Sequence, residues 1–269
     1  MGTRVQGRVV LVTGGGSGIG AAIARGCAAE GASVVVADRD DAAAAAVTGQ
    51  ITGSGSEALA VHADVTDRAA VAAGIAAAAE RFGRVDVVFN NAGFNEPMRF
   101  LDVSEENFRA IMEVNALGVL IGTQEAARQF LAQKPRSERS GNDEIIGKVV
   151  NTASIAGRTG FPDFAPYSAS KAAVISLTQA AARALAPHRI TVNAFAPGVV
   201  ATPLWTKLDA DLERIGAGDA GFDSMASAIL LGRPAEPADI VPTALFLAGS
   251  DSDYITGQVI PIEGGMVLV

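Results

Sequence analysis

Short β-branched apolar runs alternate with alanine-rich helical patterns along most of the chain, and this alternation restricts the fold more than any other feature. Arg8–Val12, Ser33–Ala37, Ala58–His62, Val85–Phe89, the run from Val149 to Ser154, Ile190–Phe195 and Gln258–Ile262 read as strands. Helical patterns lie between them: Ala21–Glu30, Asp41–Thr48, a segment capped by Asp67 and ending near Gly83, a long one capped at Ser104, one from Tyr167 to about Ala186, and one opening at Pro237. Strand–helix alternation of this kind predicts a parallel sheet with helices on both faces. No linker divides the chain, so one domain over residues 1–269 is expected. Gly49–Gly55 reads as a turn and Gln133–Gly147 as an exposed, charged loop. Thr202–Gly232 reads as irregular, and residues 201–234 are expected to form a lid over a site at the carboxyl ends of the strands.

Composition removes several function classes. The formal charge of -8 and pI of about 4.8 oppose non-specific binding to nucleic acid or anionic membranes. The single cysteine, Cys27, forms no internal disulfide and sits in a helical pattern as a small core residue. The first twenty residues lack a basic start followed by a long apolar stretch, and no uncharged apolar run reaches spanning length. A soluble protein of the reducing cytoplasm is the expectation. His62 and His188 have no cysteine partners at zinc spacing, so no catalytic metal is expected.

Two stretches carry chemistry. In the first, strand Arg8–Val12 runs into Thr13-Gly-Gly-Gly-Ser-Gly-Ile-Gly20 and then a helix. Such a turn aims backbone N–H groups and a positive helix end at a pyrophosphate. By spacing, Gly16, Gly18 and Ala21 fit one glycine pattern, and Gly14, Gly18 and Gly20 another. Asp38 ends the second strand, 20 residues beyond Gly18. An acid there accepts hydrogen bonds from the adenosine ribose hydroxyls and repels a 2′-phosphate, which favours NAD over NADP although Arg39 follows it.

In the second stretch a strand ends at Ser154, and Tyr167-Ser-Ala-Ser-Lys171 opens a helix. Tyr167 and Lys171 lie one turn apart on one face. A free tyrosine titrates near about 10, and an ammonium about 4 Å away would favour phenolate by roughly 4 kcal/mol, about three pKa units. That would bring Tyr167 into the range of a general acid/base, with Ser154 holding the same substrate oxygen. Asn115 interrupts an apolar helical segment and must be hydrogen-bonded, either as a backbone bridge at a kink or in a proton relay.

The ordered set of Thr13–Gly20, Asp38, Asp64-Val65, Asn90-Asn-Ala-Gly93, Asn115, Ser154, Tyr167–Lys171 and Pro197-Gly-Val-Val-Ala-Thr202 resembles the short-chain dehydrogenase/reductase family over nearly the whole chain. The resemblance implies a Rossmann-like, doubly wound, seven-stranded sheet and a homotetramer, for which the small-residue helix after Lys171 (Ala172, Ala173, Ala180, Ala181, Ala184) is suited. It selects Gly14, Gly18 and Gly20 as the glycine pattern. It implies that Tyr167 is the acid/base, that Lys171 lowers its pKa and holds the nicotinamide ribose, that Ser154 orients substrate and that Asn115 positions a relay water. The cofactor would be NAD, held by Gly14, Ser17, Gly18, Ile19, Gly20, Asp38, Asp64, Val65, Asn91, Tyr167, Lys171, Val200 and Thr202, with Asn90 near the adenosine ribose. The segment Gln133–Gly147 is longer than the family's usual connection.

Shorter stretches, such as Ala196-Pro-Gly-Val-Val-Ala-Thr-Pro-Leu-Trp205, resemble sorbitol-type polyol and acetoin/butanediol dehydrogenases. The expected reaction is NAD-linked interconversion of a secondary alcohol and a ketone. The substrate would be a polyol, a vicinal diol or hydroxyketone, or an aryl or amino alcohol. Candidate pocket residues are Phe94, Asn95, Glu96, Ile155, Phe161, Phe164 and Trp205. The competing expectations are an NADPH-dependent 3-oxoacyl thioester reductase, opposed by Asp38, and an NAD-binding regulatory protein without turnover.

Overall fold

Seven strands, all paired parallel, form one sheet in the order β3-β2-β1-β4-β5-β6-β7. They are β1 (Val9–Thr13), β2 (Ser33–Asp38), β3 (Ala58–His62), β4 (Val87–Asn90), β5 (Gly147–Thr152), β6 (Ile190–Pro197) and β7 (Val259–Ile262). The computed structural model describes residues 4–134 and 144–268. The expected doubly wound, Rossmann-like sheet is thus observed.

Side-chain alternation explains why the strands read as unbroken apolar runs. Val10, Val12, Val34 and Val36 face one layer, with α1 (Gly18–Ala29), α2 (Asp41–Gly53) and α9 (Pro237–Ala248) packed on it. Leu11, Val35, Val88 and Val149 face the other, under α3 (Arg68–Phe82) and α5 (Gly118–Ala132). The long α6 (Ala165–Leu185) continues this second layer towards β6. A strand covered on both faces has no solvent side on which polar residues would alternate.

Chain order reverses at β1, whose neighbours are β2 and β4. The helices after these strands then diverge to opposite faces, opening a crevice at the carboxyl ends.

Three local expectations are corrected. The helix expected over Asp41–Thr48 continues to Gly53, because Val47 and Ile51, four apart on one face, are both buried in the core. That burial outweighs the cost of about 1 kcal/mol for a mid-helix glycine at Gly49. The stretch expected to be irregular contains α7 (Pro203–Arg214) and α8 (Phe222–Ser227). Pro203 stands at the first helical position, where its missing N–H costs nothing, and Gly216, at φ 69°, lies just past the helix end. Strand β5 ends at Thr152, two residues before Ser154. The loop expected at Gln133–Gly147 falls mostly outside the described residues, and Gly147 itself starts β5.

Between α4 (Glu105–Met112) and α5 the helix widens into a π turn at Glu113–Leu117, centred on Asn115. Among the described residues no helix is long and apolar enough to cross a membrane.

The layers meet through a buried polar network. Asn90 Nδ2 donates to Asn151 Oδ1 (2.9 Å) and to Thr123 Oγ1 (3.2 Å), and Asn151 Nδ2 donates to Thr178 Oγ1 (3.0 Å). A Cβ on Gly122 would stand 2.0 Å from Asn90 Oδ1, so α5 approaches β4 this closely only through glycine. Gly122→Ala should therefore lower stability by about 1–3 kcal/mol, read as a drop in the thermal unfolding midpoint of roughly 2–4 °C per kcal/mol. An unchanged midpoint would show that the network yields without cost.

Candidate active site

The crevice begins at the turn between β1 and α1. Gly14 and Gly18 adopt positive φ (62° and 50°), and a Cβ on Gly20 would lie 2.1 Å from the Gly14 carbonyl. The first turn of α1 thus packs directly on the strand end, which only glycine allows. Gly14, Ser17, Gly18, Ile19 and Gly20 line a cleft of about 470 Å³, whereas Gly16 does not. The cleft extends past Asp38, Arg39, Asp64 and Val65 to Asn91, Thr152, Tyr167 and Lys171.

Backbone groups fix the two acids. Asp38 Oδ2 accepts from Gly16 N (2.9 Å) and Oδ1 from Asp40 N (3.0 Å). Asp64 Oδ1 accepts from Thr66 N (2.9 Å) and Thr66 Oγ1 (2.7 Å), and these bonds hold its carboxyl below the usual range. Asn91 Nδ2 donates to the carbonyls of Thr13 and Gly14, and its Oδ1 accepts from Thr152 Oγ1. Asn90, by contrast, lies in the network beneath the cleft and is not part of its wall, because its carboxamide is taken up by Thr123 and Asn151.

Ser154, Tyr167 and Lys171 converge where this cleft meets a second, smaller cavity of about 110 Å³. Tyr167 lines both; Lys171 lines the first and Ser154 the second. Ser154 stands close enough to Tyr167 for its hydroxyl to favour the ionised phenol. Ser154 Oγ also accepts from Ala156 N (3.1 Å), which fixes its rotamer.

The electrostatics differ from the expectation. Burial pushes the Tyr167 hydroxyl above its ordinary value, opposed in part by the Ser154 hydrogen bond. Burial also lowers Lys171 to about 8. The Lys171 ammonium stands 5.6 Å from the Tyr167 ring centroid and donates to the Thr152 carbonyl (2.8 Å). Desolvation therefore outweighs pairing, and each group is pushed towards its neutral form.

Asn115 is committed on the side-chain side. Its Oδ1 accepts from Phe94 N (3.0 Å), and its Nδ2 donates to the Phe94 carbonyl (2.9 Å) and to Ser170 Oγ (3.1 Å). This is the backbone bridge at a helix irregularity, and it ties the loop after β4 to α6.

Ile155, Phe161, Phe164, Trp205 and Asn95 line the smaller cavity, as expected of a pocket. Phe94 lines the larger cleft instead. Glu96 lines neither, because Asn107 Nδ2 reaches its carbonyl (3.3 Å) and carboxylate (3.4 Å) and draws it away. Thr202 lines both cavities and Val200 only the smaller one, where it bridges to Ala235.

Residues 14–267 match a family model described as enoyl-(acyl carrier protein) reductase. The chain is 42% identical to an L-2,3-butanediol dehydrogenase of Corynebacterium glutamicum over 266 residues, 97% of this chain and 98% of the relative. It is 36% identical to a diacetyl reductase [(S)-acetoin forming] of Staphylococcus epidermidis, again over 97% and 98%. A crystal structure of a short-chain type dehydrogenase/reductase from Mycobacterium marinum superposes with TM-score 0.86 at 33% identity, covering 100% of this chain and 98% of that one. The chain belongs to the short-chain dehydrogenase/reductase family. As a member it is an oxidoreductase acting on alcohol and ketone groups with a nicotinamide cofactor.

Relative to this family frame, sequence reasoning missed Leu204 and Lys207 in the cleft and Leu208 and Met225 in the cavity. The signal was the i, i+4 spacing of Pro203 with Lys207 and of Leu204 with Leu208, concealed once the stretch was read as irregular.

The depressed Lys171 pKa has a measurable sign. The folded value is about 8 against an ordinary 10.5, so the unfolded chain holds more protons between these pH values. The contribution of Lys171 to stability is then fully present above about 10.5 and is lost as pH falls through about 8. Lys171→Met should be more stable than the native protein at pH 7, by about 3 kcal/mol at most, with the difference closing by about pH 10. Denaturant unfolding of both proteins across this range checks it; a difference independent of pH would overturn the burial argument.

Proposed function

We propose that this enzyme is an NAD-dependent dehydrogenase that interconverts a small vicinal diol and its α-hydroxyketone, with Tyr167 as the general acid/base. The observation that carries the reading is the position of Tyr167 in the walls of both cavities, beside Ser154. The smaller cavity, about 110 Å³, is well below the ~300–1,000 Å³ of pockets for drug-sized ligands, which favours a short substrate over an aryl alcohol or a long polyol. The activities for which the butanediol and diacetyl relatives are named support the same size class.

The larger cleft suits a dinucleotide. Its glycine turn presents the N-terminus of α1, which favours a pyrophosphate, and Asp38 offers a fixed carboxylate to ribose hydroxyls. A bound nicotinamide supplies the hydride acceptor or donor. Gly14, Ser17, Gly18, Ile19 and Gly20 would hold its phosphates, Asp64 and Val65 the adenine, and Lys171 and Thr202 the nicotinamide half, with Val200 behind it. Asn91 braces the floor.

During oxidation Tyr167, entering as tyrosinate, takes the hydroxyl proton of the substrate and becomes the neutral phenol, while Ser154 donates to the same oxygen. The proton returns along this route in reduction. Because burial disfavours phenolate, Lys171 in its charged form stabilises the tyrosinate as it develops. The Asn115 carboxamide is fully used by Phe94 and Ser170, so a relay water between Asn115 and Lys171 would rest on the Asn115 backbone.

The remaining readings follow from surfaces. α7 and α8 supply Leu204, Trp205, Leu208 and Met225 to the cavity and serve as the substrate lid over 201–234 of a single-domain chain. Ala172, Ala180 and Ala184 are exposed on α6 beside half-buried Ala173 and Ala181, a small-residue face that supports close packing against a second copy in a homotetramer. The NADPH-dependent 3-oxoacyl reductase reading is less favoured, since a 2′-phosphate would meet the Asp38 carboxylate.

Two measurements test the proposal. Tyr167→Phe should lower kcat by roughly 100- to 10,000-fold while leaving NADH affinity intact, the range of general acid/base catalysis; retained turnover would exclude Tyr167 from proton transfer. Initial rates with NAD and NADP should favour NAD, and Asp38→Ser should shift the ratio of kcat/KM towards NADP by at least about 10-fold. A native preference for NADP would restore the acyl-reductase reading.

A further inference from the structure

Asn95 is the anomaly of the smaller cavity. It is only 3% exposed and lines the wall with Ser154 and Tyr167. Its carboxamide oxygen is fully buried and has no hydrogen-bond partner among the described residues. An orphaned buried acceptor costs about 1–3 kcal/mol. Most of the remaining wall is apolar, contributed by Ile155, Phe161, Phe164, Leu208 and Met225. A substrate hydroxyl entering such a space sheds its water and needs an acceptor inside.

The backbone around Asn95 is held from both sides. Asn115 bonds both the N–H and the carbonyl of Phe94, and Asn107 Nδ2 bonds the carbonyl of Glu96. The π turn and α4 thus hold the residues flanking Asn95, although Asn95 itself lies on a loop. Neither bond serves packing of the Asn95 side chain, which remains unpaired at the end of this support.

We infer that Asn95 is the specificity-determining residue that receives the second oxygen of the substrate, the one adjacent to the reacting carbon. Ser154 and Tyr167 hold the reacting oxygen, and the Asn95 carboxamide holds its neighbour. An amide carries both an acceptor and a donor, so it receives a hydroxyl through its oxygen and a carbonyl through its N–H₂. One residue then serves a diol, a hydroxyketone and a diketone. The inference rests on the proposed diol reading and adds the basis of its selectivity: a site built to hydrogen-bond an oxygen discriminates strongly against an analogue lacking it.

The test compares kcat/KM for 2,3-butanediol and for 2-butanol, which lacks the second oxygen, in the native enzyme, Asn95→Leu and Asn95→Ser. NADH affinity is measured on each as a readout outside the cavity. The native enzyme should prefer the diol; Asn95→Leu should lower the diol value by about 10- to 100-fold with 2-butanol and NADH affinity little changed, and Asn95→Ser should retain part of the preference. Equal losses on both alcohols, or an unchanged diol preference, would overturn the assignment to Asn95 while leaving the diol reading in place. A native enzyme without activity on any vicinal diol would instead overturn the diol reading. Should Asn95→Leu fail to bind NADH, the serine variant decides alone: a diol preference equal to the native one would overturn the assignment, and a reduced one supports it.

Discussion

The site depends on how three strand ends are tied together beneath it. Thr13 Oγ1, at the end of β1, donates to the Phe89 carbonyl and accepts from the backbone N–H groups of Asn91 and Ala92. Asn91 returns the contact by donating to the carbonyls of Thr13 and Gly14, and its oxygen takes the hydroxyl of Thr152 at the end of β5. Parallel strands leave their terminal carbonyls without ladder partners, and buried groups of this kind must be paired. Here two threonines and one asparagine pair them. The glycine turn, the loop carrying Asn95 and the approach to Ser154 are thereby fixed in one frame, before any catalytic side chain is placed.

The Thr152 carbonyl, in the same frame, accepts from the Lys171 ammonium. This bond compensates part of the cost of burying a charge and sets where that charge stands. The ammonium stands 5.6 Å from the centroid of the Tyr167 ring, and burial raises Tyr167 and lowers Lys171. Two neighbouring groups pushed towards their neutral forms suit proton exchange, since neither is locked in an ionised state at neutral pH. Lys171 contributes a field whose effect is greatest when negative charge develops on the tyrosine.

The fold was legible in the sequence because strands covered on both faces are written as continuous Val-rich runs, which no solvent-facing strand imitates. The convergence of Ser154, Tyr167 and Lys171 was legible because local spacing governs it: Tyr167 and Lys171 share one helix face, and Ser154 follows one strand end. The lid was not. Pro203 and Gly216 punctuate α7 from its two ends, yet without its partners its apolar spacing reads as scattered. Leu212 is buried against Phe164 and Ala217, and Leu208 is buried in the wall of the cavity that Ser154 and Phe164 also line. The electrostatic expectation failed for a related reason. Helical spacing brings the Tyr167 and Lys171 side chains close, but the degree of burial and the pull of the Thr152 carbonyl are tertiary facts.

Glu96 and Asn95 show the same limit at the scale of one residue. Both are polar, adjacent and placed after the same glycine, so sequence treats them alike. Asn107, more than two helical turns back from Asn115, reaches the carbonyl and carboxylate of Glu96, which lines neither cavity, whereas Asn95 lines the wall of the smaller one. Asn115 and Asn107 hold Phe94 and Glu96 on either side of Asn95. The π turn at Asn115 thus bears on the smaller cavity as well as on the larger cleft, because the residue at its centre anchors the loop that carries Asn95.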